Sequence, residues 1–467
     1  MLIFAFQIAY NMKQKRFFLS EDEIPQNWYN IQADMPVKPM PMLDPVTKKP
    51  VTLEDLSAIF SEECSRQELN VTDRWIPIPD AVREMYTYYR STPLVRAYGL
   101  EKELDTPAHI YFKNESVSPV GSHKLNSALA QAYYCKQEGI TNVTTETGAG
   151  QWGTALSYSA KLFGLNAAVY QVKVSYEQKP YRRSMMQVWG AQVTPSPSMS
   201  TRAGKDILTR DPNNQGSLGT AISEAVELAR ETPERCKYTL GSTMSHVSLH
   251  QTVIGLEAEK QFEMAGEYPD EVIACFGGGS NFSGIAFPFM RHIYEGTHKG
   301  TRFIACEPAM CPKLTRGVFC YDYGDVAGYT PLIPMYTLGH EFMPANIHAG
   351  GLRYHGAGGI VSQLLKDGMM EGMDIEQIEA FDAAVLFAKA EGIIPAPESS
   401  HAIAATIKRA LECKESGESK VLLFNLTGHG LMDMSSYDQY LRGNLINHSL
   451  SDSEIQKSTT TLADLQK

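Results

Sequence analysis

From Pro93 onward the chain alternates short apolar runs with amphipathic stretches, and that rhythm restricts it to an α/β architecture with largely parallel sheets. Strands are expected over 110–113, 142–145, 167–172, 192–194, 271–276, 302–306 and 421–426, and helical stretches over 153–163, 184–189, 220–229, 375–390 and 402–413. The 467 residues provide for two cores, since single cores stop growing near ~250–300 residues. The expected division is an N-terminal extension over 1–79, an α/β domain over 80–250, a second over 251–445 and a flexible Ser/Thr-rich tail over 446–467. The extension carries one helical stretch, 53–60, and reads as a segment draped over the main body.

Net charge is −11, from 42 basic against 53 acidic residues, and no basic cluster exceeds Lys13-Gln14-Lys15-Arg16. Such a surface disfavours nucleic acid and anionic membrane as partners. Eight cysteines are scattered without a C-x-x-C pair or finger-spaced histidines, so no metal site is expected, and the thiols read as those of a reduced, cytoplasmic protein. The apolar leader Met1 to Tyr10 lacks a preceding basic residue and a cleavage site, and falls far short of the ~20 residues that span a bilayer. A translation start at Met12 fits the polar residues that follow it.

Sites in such folds gather at the carboxyl ends of strands, where four motifs fall. Gly121-Ser122-His123-Lys124-Leu125-Asn126 joins a strand to a helix, where free N–H groups and the helix dipole favour a phosphate. An amine beside a phosphate pocket suggests pyridoxal phosphate, although a lysine near a helix start also reads as a solvated charge. Glu146-Thr147-Gly148-Ala149-Gly150-Gln151 follows the next strand, and its N–H groups can wrap a carboxylate with Glu146 in the same pocket. Glu146 as a helix-cap carboxylate is the alternative. Gly277-Gly278-Gly279-Ser280-Asn281 follows the 271–276 run and reads as a phosphate cup or as a ligand-free turn. The dinucleotide pattern G-x-G-x-x-G fails there, because Phe282 stands where its last glycine belongs. Thr427-Gly428 ends the last strand, where the Thr427 hydroxyl reads as a partner for a pyridine nitrogen or as part of a Thr-Gly turn.

Taken together, and in this order along 91–440, these motifs and the run Glu391-Gly392-Ile393-Ile394-Pro395-Ala396-Pro397-Glu398-Ser399-Ser400-His401-Ala402 resemble the tryptophan synthase β chain family. The resemblance implies a fold type II pyridoxal-phosphate enzyme: two three-layer α/β domains with mainly parallel central sheets and the cofactor between them. It implies Lys124 as the Schiff-base lysine, His123 and Asn126 on the cofactor side, and Glu146 as the carboxylate that meets indole. It implies Thr147, Gly148, Ala149, Gly150 and Gln151 as the substrate-carboxylate loop, and Gly277, Gly278, Gly279, Ser280 and Asn281 as the phosphate loop, with Ser242 beside it. Glu391 is matched to a glutamate beside the cofactor ring, and Thr427 to the residue at the ring nitrogen.

Two departures stand out. Trp152 replaces a histidine, and Gly428-His429-Gly430-Leu431 replaces a charged Gly-Arg-Gly-Asp turn. With the long N-terminal region and the stretch His348 to Gly356, these resemble the longer, second type of β chain. The implied reaction is β-replacement joining L-serine and indole to give L-tryptophan and water. The rival activities are serine or threonine dehydratase, cysteine synthesis and a silent cofactor-binding protein. A homodimer is expected, with a monovalent cation able to tune the site and the tryptophan synthase α chain as a candidate partner that the altered turn and the long N-terminal region argue against.

Overall fold

The computed structural model describes residues 13–448 and 450–465, so the leader Met1 to Tyr10 and the start at Met12 lie outside the described residues. A seven-stranded sheet runs in the order Arg16–Phe17, Leu94–Arg96, His109–Asn114, Val421–Leu426, Glu271–Cys275, Arg302–Pro308, Glu371–Ile375. The first two strands join antiparallel and the rest are parallel. All five residues of Glu271–Cys275 are buried, because helices cover both faces of the sheet. A second sheet, all parallel, runs Gln192–Ser196, Asn166–Val172, Asn142–Thr147, Cys236–Tyr238. The sheets therefore do not follow chain order: strands 94–96 and 109–114 pair with strands from the C-terminal half.

Several elements differ from expectation, each for a physical reason. Glu371–Ile375 is a strand where Ile375 reads as a helix start, because its pairing with Arg302–Pro308 at the sheet edge overrides local preference. The helix begins two residues later, at Gln377–Glu391. Leu94–Arg96 and Cys236–Tyr238 are only three residues each, too short for periodicity to mark. The hairpin Val318–Tyr323 with Leu332–Thr337 is a further pair of strands beyond those expected. At the C-terminus, Asp452–Thr459 forms a helix with a Ser451 capping box, and Ile455 buries against Cys311, Leu338 and Phe342.

The extension enters the core. Trp28 and Tyr29 are fully buried in one cluster with Phe262, Phe282 and Phe287. Glu68 caps the helix Ser245–Gln251, its carboxylate accepting the N–H groups of Ser245 (3.0 Å) and His246 (2.9 Å). All eight cysteines are unpaired, and no helix among the described residues is long and apolar enough to cross a membrane.

A buried ionic network ties Arg90 to the strand His109–Asn114 and to the helix Val253–Ala265. Arg90 reaches Glu257 through Nε and Nη2, both at 2.7 Å, and Glu115 through Nη1 and Nη2, both at 3.1 Å. Lys113 Nζ donates to Glu257 Oε2 at 2.7 Å and to Gln261 Oε1 at 2.9 Å. All four charged side chains are fully buried, two positive against two negative. Removing one member leaves a buried charge unpaired, so Glu257→Leu is expected to cost about 3–5 kcal/mol of unfolding free energy. Urea unfolding measures it, and a loss under about 1 kcal/mol would show that the cluster is hydrated or dispensable.

Candidate active site

Sheet register builds the site. His109–Asn114 and Val421–Leu426 are neighbours in register, with Asn114 opposite Leu426, so the turns that follow them leave the sheet at the same level. They zip together: His123 N donates to Thr427 O at 2.9 Å, and Ser122 bridges Gly428. Glu271–Cys275 flanks Val421–Leu426 on the other side and delivers residues 277–281 to the same edge. From the second sheet, Asn142–Thr147 brings Glu146 to the opposite wall.

Lys124 immediately precedes the helix Leu125–Gln137 and keeps part of its surface open. Its Nζ donates to Gly241 O at 2.5 Å and to Ser280 Oγ at 3.2 Å. Burial lowers its pKa to about 8 despite the opposing carboxylates of Glu146 and Glu398. His123 lies between Thr427, whose hydroxyl meets Nδ1, and Ser280, whose Oγ is 3.3 Å from Nε2. Burial, then the neighbouring Lys124, brings its pKa to about 3, so the ring is neutral.

Residues 277–281 form a cradle at the start of the helix Ser280–Glu295, where free N–H groups point outward. A Cβ on Gly277 would lie 2.6 Å from Gly351 O, and one on Gly278 would lie 2.5 Å from Thr243 Cγ2 and 2.7 Å from Ser242 Oγ. Gly279 has φ +124°, open to glycine alone. Asn281 turns inward, donating to Cys275 O at 2.9 Å and accepting from Asn425 at 2.6 Å. A backbone this bare, at a helix N-terminus within reach of a partly exposed amine, fits the phosphate and aldehyde of pyridoxal phosphate.

Residues 147–151 lead into the helix Gln151–Phe163. Thr147 Oγ1 accepts from Gly153 N at 3.2 Å, a cap within its own loop. Gly150 adopts φ +97° against the buried Arg182, where a Cβ would come within 2.7 Å of that side chain. Gly350 and Gly351 lie across both loops: a Cβ on Gly148 would meet Gly350 O at 2.9 Å, just as one on Gly277 would meet Gly351 O. Glu146 is buried, and burial raises its pKa to about 7 against the pull of a Tyr238 hydrogen bond and the Lys124 charge.

Two sequence assignments move. Glu391 does not join the site: its Oε2 pairs with Lys15 Nζ at 2.8 Å and its Oε1 accepts Leu100 N at 2.9 Å. The glutamate that does is Glu398, buried at the start of the helix Pro397–Ser416, accepting from Gly351 N at 2.9 Å and Gln151 Nε2 at 3.2 Å. Pro397 was the available signal, because proline at a first helical position puts the following acid at the helix N-terminus. Asn126 is also diverted: Oδ1 accepts from Arg90 and Tyr89, both at 2.8 Å, while Nδ2 donates to Glu115 and Gln251 at 3.2 and 3.0 Å. Its amide is consumed by the ionic network. Tyr238, which sequence reasoning passed over, contacts Glu146 from a strand too short to read, and Gly241 in the loop after it contacts Lys124.

The class that this fold and site define is matched directly: the family described as "Pyridoxal-phosphate dependent enzyme" covers residues 85–428. The tryptophan synthase beta chain 2 of Thermotoga maritima is 55% identical over 90% of this chain and 98% of that protein, and that of Methanosarcina mazei 54% identical over 93% and 98%. The chain belongs to the tryptophan synthase β chain family of pyridoxal-phosphate enzymes. Among solved structures, a threonine deaminase from T.th. (TM-score 0.55, 19% identity) covers 75% of this chain and 96% of its own. A fungal L-serine ammonia-lyase from Rhizomucor miehei (TM-score 0.58, 18% identity) covers 76% and 99%. These two share the fold.

Because burial disfavours the charged amine, Lys124 in cofactor-free protein is expected to become nucleophilic through about pH 8, below the range of a solution lysine. Acylation rate against pH, read at the Lys124 peptide by mass spectrometry, checks this. A half-maximal rate near the ordinary lysine value would contradict the desolvated placement.

Proposed function

We propose that this chain joins L-serine to indole by pyridoxal-phosphate-dependent β-replacement, giving L-tryptophan and water. What supports the reading most is the buried Glu146 carboxylate facing Lys124 in a chain of this family, because a dehydratase or sulfhydrylase has no indole N–H for such a group to meet. Bound in the cradle, pyridoxal phosphate supplies an electrophilic carbon and an electron sink for the substrate's α-carbon. Residues 277–281 would hold the phosphate, with Ser242 beside them. The N–H groups of residues 147–151 take the serine carboxylate. Lys124 would hold the cofactor through its amine and, once released to the substrate, is placed to take the α-proton and later to return one to the same carbon. The β-hydroxyl leaves first, as water, with the proton that Lys124 took from the α-carbon. Indole C3 then bonds to the β-carbon while Glu146 takes the N–H proton, which it returns to nitrogen as C3 gives up its own proton to Lys124 for the α-carbon. Thr427 and the neutral His123 offer no carboxylate to a ring nitrogen, which favours replacement over transamination. Gly350 and Gly351, laid across both loops, keep water from diverting the reaction to pyruvate.

The test is Glu146→Ala, assayed with and without indole. Pyruvate release from serine alone should persist, while tryptophan formation falls at least about a hundredfold, within the ~10²–10⁴ that acid–base groups contribute. Wild-type tryptophan formation would remove Glu146 from the indole step, and the absence of any tryptophan from the unaltered protein would remove the reading itself.

The assembly we propose is a cytoplasmic two-fold homodimer working on free indole, with a monovalent cation as a modulator and no requirement for an α chain. The grounds are the extension and the altered turn at Gly428 to Leu431. Purified tryptophan synthase α chain, titrated into a serine-plus-indole assay, should leave the rate unchanged. A severalfold rise with a saturable complex by light scattering would show that the α-binding surface survives.

A further inference from the structure

Glu146 has two side-chain neighbours able to donate a hydrogen bond. Thr145 is one, but its single hydroxyl proton goes to Thr239 O at 2.5 Å while the oxygen accepts Trp152 Nε1 at 2.6 Å. Its contact with Glu146 Oε2 is left long, at 3.4 Å. The other is Tyr238, whose hydroxyl donates to Glu146 Oε2 at 2.5 Å. Tyr238 sits opposite Thr144 in the parallel ladder, and residues 144 and 146 share a face of their strand, so the tyrosine's side chain meets the carboxylate along that face.

Tyr238 is itself held by the N-terminal extension. Cys236–Tyr238 is the edge strand of its sheet, and an edge carries unpaired N–H groups that something must cover. Residues 57–60 cover it: Tyr238 N donates to Ile59 O at 2.9 Å, Lys237 Nζ donates to Ser57 O, and the Phe60 ring lies 5.7 Å from the Tyr238 ring. The phenol is buried and its rotamer is confined between Phe60 and Glu146.

We propose that Tyr238 is a positioning residue for the indole step: braced by residues 57–60 of the extension, its hydroxyl binds one carboxylate oxygen of Glu146 and leaves the other aimed at the indole N–H. This rests on the assignment of Glu146 to that step. The hydrogen bond also favours the ionised carboxylate, opposing the burial that brings it to about 7. The remaining charged or titratable groups that face this pair are Lys124 across the site, Tyr354 and Asp325. Tyr354 spends its proton on Gly324 O at 3.0 Å, and Asp325 accepts from Ser223 and Thr330, so neither replaces Tyr238 as donor.

The sign follows. Glu146 must be ionised to accept the indole proton, so activity is lost as pH falls through its pKa. Losing a donor to the ionised form raises that pKa. Tyr238→Phe should therefore move the acid limb of tryptophan formation up by about one to two pH units, the size of one hydrogen bond to a charged group. Pyruvate release from serine alone should keep its pH profile. 3-Fluorotyrosine incorporated at position 238, isosteric and a stronger donor, should move the limb down, which a purely structural role would not produce. An independent readout is the protonated-carboxyl infrared band of Glu146, assigned against Glu146→Gln and titrated in the holoenzyme, with its midpoint shifting up in Tyr238→Phe and down with fluorotyrosine. Unmoved midpoints overturn the proposal whatever the reaction is. Midpoints that move without the tryptophan profile following overturn instead the role of Glu146 in the indole step, and the positioning proposal with it.

Discussion

Four charges buried away from water, Arg90 and Lys113 against Glu115 and Glu257, are the constraint around which the rest of the molecule is arranged. None could be buried alone, since an isolated ion in the interior costs several kcal/mol, so each fixes the position of the others. The partners come from separate stretches of chain: Arg90 from just past the helix Asp80–Tyr86, Lys113 and Glu115 from the close of a central strand, Glu257 from the helix Val253–Ala265 that precedes the strand Glu271–Cys275. Thr92 closes the set through Glu115 at 2.6 Å, and Asn126 joins it from the first turn of the helix that follows Lys124. Burial does not push Glu115 upward, because Arg90 and Lys113 hold its pKa at about 2. Lys124 is thus anchored, two residues before Asn126, by a lattice of charge-assisted hydrogen bonds.

The same exclusion of water tunes the groups that face the cleft, with opposite outcomes set by their partners. Lys124 falls to about 8 and His123 to about 3, while Glu146 rises to about 7. A base and an acid of nearly matched affinity on opposite walls are suited to passing protons near neutrality, and a neutral imidazole beside Thr427 keeps negative charge from the end of the last strand. Position matters as much as identity. Gly241 presents its carbonyl to the lysine because the Trp152 ring occupies the space that a side chain there would need, its Cδ2 lying 2.6 Å from where a Cβ would be. The Trp152 ring thereby forms a wall that also holds Thr145 through its Nε1.

A deaminase and an ammonia-lyase at 19% and 18% identity share this architecture, as does an O-acetyl serine sulfhydrylase from Entamoeba histolytica at 17% with a TM-score of 0.56. A scaffold of parallel strands ending in helix N-termini offers free N–H groups to an anion and commits to no particular reaction. The particulars of this chain are local: Glu146 at the head of the 147–151 loop, Trp152 behind it, and an extension that reaches through the core to the strand holding Tyr238.

The sequence by itself determined the α/β class, the glycine cradle at 277–281, the lysine at a strand-to-helix turn and the acid at the head of the second loop. Each is a local pattern: a buried run ending in small residues, or a reactive side chain where a helix begins, legible because a few neighbouring residues contain it. Only the tertiary structure decided which glutamate of the Glu391 to His401 run enters the site, because both are acids near helix ends and the choice lies in Lys15, Leu100, Gly351 and Gln151, far off in sequence. It likewise decided that Asn126 belongs to the ionic network and that Tyr238 reaches Glu146 across 92 positions of chain. The physical reason is range: helix signals and tight turns are set within a few residues, whereas strand order, burial of charge and the partners of a carboxylate depend on which distant segments the sheets bring to one edge.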